Sequence, residues 1–262
     1  MKEFFGFGGY KRQAEGYMSW QHLLFVSLLM VAMIALAIIL GIRNRKKDDK
    51  EKNKVLIVAA ILIDSFEVFK ILILCLRSSS LSPIIYNLPL FLCSIQLISI
   101  PMAAFCKGRI KEACLDFVFI FGILGAFAGT YGAGNNYGSY PVLSMDNVVS
   151  GITHSISGFT SLYIGIAGLS SMKKNNIFIT FGILIGFCIL AYIADITIGY
   201  NYMFLIRGDG TPYDVVYNLV KGNKILYPLI VVVLFLIYIG AFYLVYFLIN
   251  KRKEKKAQLE EA

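Results

Sequence analysis

The stretch Trp20–Ile42, WQHLLFVSLLMVAMIALAIILGI, decides the fold: 23 consecutive residues without an Asp, Glu, Lys or Arg. About 20 apolar residues make a helix long enough to cross a hydrocarbon core of about 30 Å. Such a segment must be helical, because no water is present there to satisfy its backbone amides. The connection RNRKKDDKEKNK follows at once at 43–54, and seven of its twelve residues are Lys or Arg. An uncharged block running into a basic connection is the pattern of a span that ends in the cytoplasm.

Working outward, similar blocks fall at 55–76, 86–106, 113–131, 147–170, 176–198 and 227–249. The chain of 262 residues is 58% hydrophobic with a mean hydropathy of +0.70, well above the roughly 45–50% apolar content of soluble domains. The sequence therefore predicts an all-α polytopic membrane protein with seven transmembrane helices. The block at 113–131 is the weakest, carrying Asp116 and a Gly-rich exit. Residues 1–19 form an extracytoplasmic N-terminal segment, 20–249 the seven-span domain and 250–262 a basic cytoplasmic tail expected to be helical and solvated. The first 19 residues have no apolar core and no cleavage site, so the first span is expected to direct insertion.

The net charge of +9 fits this topology better than nucleic-acid binding, because the basic residues sit in connections between blocks. The connections 43–54, 107–112, 171–175 and the tail hold 17 Lys and Arg, whereas 1–19, 77–85, 132–146 and 199–226 hold 7. The two sets alternate as seven spans require, which puts the N-terminus outside and the C-terminus in the cytoplasm. The usage, rich in Ile, Lys and Asn, suits an AT-rich bacterium and hence a bacterial plasma membrane.

Five cysteines, Cys75, Cys93, Cys106, Cys114 and Cys188, lie in or beside apolar blocks without a CxxC pair. That pattern argues against a disulfide framework or a zinc ribbon. The last block holds no lysine for a retinal Schiff base, two histidines are too few for a three-histidine zinc hydrolase, and no phosphate-binding glycine motif is present. No metal and no other cofactor is expected.

Polar residues within a span are costly and mark the places to look for function. The second block carries Asp64, Glu67 and Lys70 at three-residue steps, which share one broad helix face. The third carries Cys93 about seven residues, or roughly 10 Å, below its outer end, with Gln96 on nearly the same face. The fifth carries His154 at matching depth, with Ser150, Ser157 and Ser161 on its side. The sixth ends in Tyr192, Asp195, Asn201 and Tyr202. A thiol attacks an acyl carbon once a base takes its proton, and a carboxylate can orient that base. Cys93, His154 and Asp195 fit those roles, with Asp64, Glu67, Gln96, Tyr192, Asn201 and Tyr202 as substrate-binding candidates. Simpler readings stay open: a span cysteine as a small hydrophobe, serines and histidine as interhelical packing, and Glu67 with Lys70 as a helix-orienting ion pair. A non-enzymatic binding or transport pocket lined by Asp64, Glu67, Lys70, Tyr192 and Asp195 is the alternative function.

The segment Leu88-Pro-Leu-Phe-Leu-Cys93-Ser, His154 with Leu162-Tyr-Ile, and Gly199-Tyr-Asn-Tyr-Met-Phe-Leu205 resemble YwaF-type bacterial integral membrane proteins over about 85–250. That family is similar to a eukaryotic acyltransferase that moves fatty acyl chains between phospholipids. The resemblance implies Cys93 as the acyl-carrying residue and His154 as its base. It also implies membrane phospholipids or lysophospholipids as partners. Phe91 departs from the histidine or other polar residue found at that place in many relatives.

Overall fold

The computed structural model describes residues 2–260, without the side chains of 254–257, 259 and 260. Met1, at the head of the N-terminal segment, and Glu261 and Ala262, at the end of the basic tail, lie outside the described residues. The described residues form helices, turns and loops without a strand. Four helical stretches among them are long and apolar enough to cross a membrane: Trp20–Asn44, Gly108–Ser139, Lys174–Ile198 and Leu226–Lys253. Their outer surfaces are greasy rather than polar; Leu28, Val31, Ile39 and Ile42 of the first helix are each at least 60% exposed, as expected where lipid rather than water is the neighbour.

The chain divides into a first unit ending at Ser171 and a second beginning at Met172. In the first, α1 (Trp20–Asn44), α2 (Asp49–Ser78), α4 (Gln96–Phe105), α5 (Gly108–Thr130) and α7 (Met145–Ala167) form a bundle, with short α3 (Ser82–Tyr86) and α6 (Gly134–Ser139) at connections. Local chemistry sets the boundaries. Ser19, Asp48 and Ser144 cap the amides of His22, Glu51 and Asn147, each satisfying one of the orphan donors at a helix start. Gly168, at φ 72°, ends α7 in the left-handed conformation.

Helix α7 packs on α1, α2 and α5, and α5 also packs on α4. Two-thirds of the apolar window of α5 is buried against 22% for α1, so the block that looks weakest as a lipid-facing span is largely enclosed by its neighbours. Its Asp116 is fully buried and accepts from Ser170 Oγ at 3.1 Å. Between helices in lipid there is little hydrophobic drive, so small residues and interhelical hydrogen bonds hold the contact. A Cβ at Gly122 would lie 2.7 Å from Ser157 O, and Ser161 Oγ donates to Phe119 O at 2.7 Å.

The third expected block is not one continuous helix. Pro89 has no amide to donate, and Leu90 N turns back to Leu88 O at 2.7 Å. Ser94 Oγ then accepts from Phe91 N at 2.9 Å and donates to Phe91 O at 3.1 Å. The side chain thereby competes with helical backbone bonding, and the helix begins only at Gln96. Cys93 lies in this turn, ahead of the helix.

In the second unit, α8 (Ile177–Ile198) and α10 (Leu226–Glu260) pack together, Thr180 Oγ1 and Tyr243 OH meeting at 3.2 Å. A loop with a short 3₁₀ turn at Tyr202–Phe204 and the helix α9 (Tyr213–Leu219) connects them. The tail is helical through Glu260, as expected.

Candidate functional site

The Ser94-organised turn presents Cys93 toward α7, and α7 presents His154 toward the turn. Nδ1 of His154 lies 2.7 Å from the carbonyl oxygen of Ser150, one turn back on the same helix. A carbonyl only accepts, so Nδ1 carries the proton and Nε2 keeps its lone pair. Cys93 lines the same cleft as His154, near enough for thiol and imidazole to interact. This is the ground-state arrangement of a thiol beside its base.

Two glycines of α5, one turn apart, make room for the pair. A Cβ at Gly125 would lie 3.5 Å from Cβ of Cys93, an ordinary contact. At Gly129 it would lie 2.6 Å from Cγ of His154 and closer still to Cδ2 and Nε2. The imidazole edge therefore rests directly on the α5 backbone, and only glycine leaves space for it.

Cys93 and His154 line a cleft of about 160 Å³ with Glu67, Lys70, Phe91, Ser94, Ser150 and Ser157. Lys70 Nζ and Glu67 Oε1 are 2.6 Å apart and both side chains are largely buried, at 17% and 12% exposure. The ion pair therefore faces the cleft, rather than serving only between helices. Asp64, on the same helix, does not line it. Gln96 is fully buried, accepts from Ser99 Oγ at 3.2 Å, and has no partner for Nε2 among the described residues; it too lies outside the lining.

The remaining expected residues belong to the second unit and organise its loop. Asp195 Oδ1 accepts from Tyr202 N at 2.5 Å. Asn201 donates to Arg207 O and Asp209 Oδ2, each at 2.8 Å, and accepts from Ile206 N at 3.2 Å. Tyr192 OH donates to Lys224 O at 3.2 Å beside an apolar cavity that includes Cys188, Leu205 and Pro228. At His154 the Ser150 carbonyl meets Nδ1, the nitrogen at which the sequence reading set a carboxylate.

A second cluster closes the end of the bundle nearest the cleft. Arg77, at the end of α2, binds Asp146, at the start of α7, through two hydrogen bonds of 2.7 and 2.8 Å. Tyr10 OH also donates to Asp146, and the guanidinium lies over the rings of Tyr10 and Tyr140. Met145 N donates to Phe4 O at 2.9 Å and Val142 N to Glu15 Oε2 at 2.8 Å. The N-terminal segment is thus a strap tied across the ends of α2 and α7. His154 is eight residues, about 12 Å, along α7 from Asp146, and Lys70 seven residues, about 10 Å, back along α2 from Arg77. Sequence reading passed over Arg77 and Asp146. The available signal was a lone arginine after an apolar block and a lone aspartate before another.

An all-helical chain with greasy helix surfaces and a polar, thiol-bearing cleft among them is a multi-pass membrane protein with a site inside its bundle. The TMEM164 family model matches residues 17–246, so the chain belongs to that transmembrane family. No curated protein and no solved structure matches it.

Proposed function

We propose that this protein is a lipid acyltransferase or transacylase working in the plasma membrane of a bacterium, with membrane phospholipids or lysophospholipids as its partners. The observation that carries the reading is the juxtaposition of Cys93 and His154 in one polar cleft among apolar helices. His154 Nε2 takes the proton of Cys93, and Sγ attacks the carbonyl carbon of a lipid ester while the C=O π pair moves onto oxygen. The tetrahedral intermediate collapses, the C–O ester bond breaks, and the leaving alkoxide takes the proton back from Nε2. The products are a Cys93 thioester and a lysolipid hydroxyl; an acceptor hydroxyl reverses the sequence. Kinship with the YwaF-type proteins and their eukaryotic acyltransferase relative belongs to this proposal. It rests on the Leu88–Ser94 and Gly199–Leu205 segments.

In this reading the chain crosses seven times, N-terminus outside and C-terminus in the cytoplasm. The uneven distribution of Lys and Arg supports that orientation. The cleft then opens toward the outer face, beneath the strap.

The test is intact-protein mass spectrometry after incubation with phospholipid. A hydroxylamine-labile acyl increment on the wild type that is absent from Cys93→Ala is the expected result. Equal acylation of Cys93→Ala would sink the proposal. A second reading, a non-enzymatic binding or transport component, draws on the Glu67–Lys70 pair in the same cleft. It expects Glu67→Gln to abolish ligand uptake and Cys93→Ala to be silent.

A further inference from the structure

We propose that Lys70 is the anion-stabilising cation of the cleft, acting on the Cys93 sulfur and then on the oxyanion of the tetrahedral intermediate, and that Glu67 holds it in place. The inference rests on the acyl-transfer reading and adds to it a residue that the Cys–His pattern does not contain.

Acyl transfer places a negative charge first on sulfur and then on oxygen, and a preformed donor aimed at that charge is usually the largest single catalytic contribution. The main chain of the turn supplies part of that donor set, since the amide of Cys93 itself faces the sulfur, while two neighbouring amides are spent. After Pro89, the amide of Leu90 is spent on Leu88 O and that of Phe91 on Ser94 Oγ. The amide side chain of Gln96 lies outside the cleft lining. Lys70 does line it, together with Cys93 and His154, and is near enough for its charge to act on both groups. Among the described residues its only ion-pair partner is Glu67, which engages through one carboxylate oxygen. An ammonium has three donors, so two remain for the reacting atoms.

The pair also makes sense of its own cost. Two charges taken out of water are a weak source of stability, and a helix could be oriented by apolar packing alone. With the pair facing the cleft, its charges complement those the reaction creates. The ammonium attracts thiolate and oxyanion, and the same positive charge drives the imidazolium to give its proton to the leaving alkoxide. No proton or electron is consumed by Lys70; it stays an ammonium throughout.

Two readouts on full-length protein test this. The first is alkylation of Cys93 by iodoacetamide at pH 8, followed by peptide mass spectrometry, which needs no lipid substrate. Lys70→Gln is expected to slow it about tenfold, Lys70→Arg to restore it, and Glu67→Gln, which strips the ammonium of its counter-ion, to speed it. The double variant Glu67→Gln/Lys70→Gln, which leaves no unpaired charge to unfold the bundle, is expected to be slow. A purely structural ion pair gives the same sign for both single variants, and that result, or an unchanged rate in the double variant, overturns the proposal. The second is the rate of acyl-Cys93 formation from phospholipid, expected to fall on the order of 10²- to 10³-fold in Lys70→Gln. A wild-type rate there overturns the oxyanion role. Should the wild type form no acyl-enzyme, the acyl-transfer reading fails by itself, and the alkylation series still decides whether Lys70 acts on the sulfur.

Discussion

Gly129→Ala is a one-methyl perturbation whose effect on the Cys93–His154 pair follows from geometry. The new Cβ would sit 2.6 Å from Cγ of His154 and nearer to Cδ2 and Nε2, whereas carbon atoms pack at about 3.5–4.0 Å. Retreat of the α5 backbone is resisted by its hydrogen bonds to α7 earlier in the helix, from Ser157 Oγ to Gly122 O at 3.4 Å and from Ser161 Oγ to Phe119 O at 2.7 Å. The ring must therefore move by about 1 Å or more. His154 is tethered through Nδ1 to Ser150 O, so such a shift takes Nε2 away from the thiol. A misplacement of about 1 Å costs about 10² in rate, and complete loss of the base about 10²–10⁴. Overpacking costs about 1–3 kcal/mol, offset by up to about 1 kcal/mol because alanine favours a helix over glycine, so the protein still folds. Gly125→Ala, with the same gain in helix propensity and only a 3.5 Å approach to Cys93, is the control. The assay is the rate of acyl-Cys93 formation, with the thermal midpoint measured alongside. Gly129→Ala is expected to lose at least about 10² in rate while Gly125→Ala stays within a few-fold of wild type. Equal rates for the two variants at equal stability would refute the claim that His154 depends on that glycine.

Other perturbations address the strap and the second unit. Arg77→Ala leaves the buried Asp146 carboxylate without its cation, a loss of about 3 kcal/mol, and hydrogen exchange is expected to rise across residues 2–16 while α5 stays protected. Burial, aided by the hydrogen bond to Asp146, pushes the Tyr10 hydroxyl from 10.0 up to about 12. The folded strap therefore favours the neutral phenol: its contribution is complete below pH 10 and is lost as the pH rises toward 12. The emission maximum of Trp20, the single tryptophan, is expected to shift over that window in the wild type and not in Tyr10→Phe. Asp195→Ala removes the acceptor for Tyr202 N and is expected to lower the thermal midpoint while acylation of Cys93 proceeds near the wild-type rate. An acylation loss as large as that of His154→Ala would place Asp195 in the catalytic set.

The helical, membrane-embedded class was legible in the sequence because lipid imposes a rule on every residue of a span: about 20 apolar side chains and a closed hydrogen-bond ladder. The expectation that Cys93 and His154 share a level came from helical rise, and both do line one cleft, although Cys93 sits in a turn ahead of α4 where that rise does not apply. What the sequence could not carry was contact. Helix periodicity states which residues share a face but not which helix that face meets, so the partners of His154 could not be read from spacing. Tertiary structure decided that the imidazole is oriented by a main-chain carbonyl, a group every residue possesses and no motif announces. It also decided that Gly125 and Gly129 open the space for the pair, because the close approach of α5 to α7 exists only once both helices are packed. The break ahead of Gln96 came from Pro89 and the Ser94 hydroxyl competing with the helical ladder, a local contest that hydropathy does not register. Hydropathy ranks the α5 stretch lowest of the four long apolar ones for a related reason: a helix buried among other helices need not be greasy, and Asp116 and the glycines suit it to that buried place.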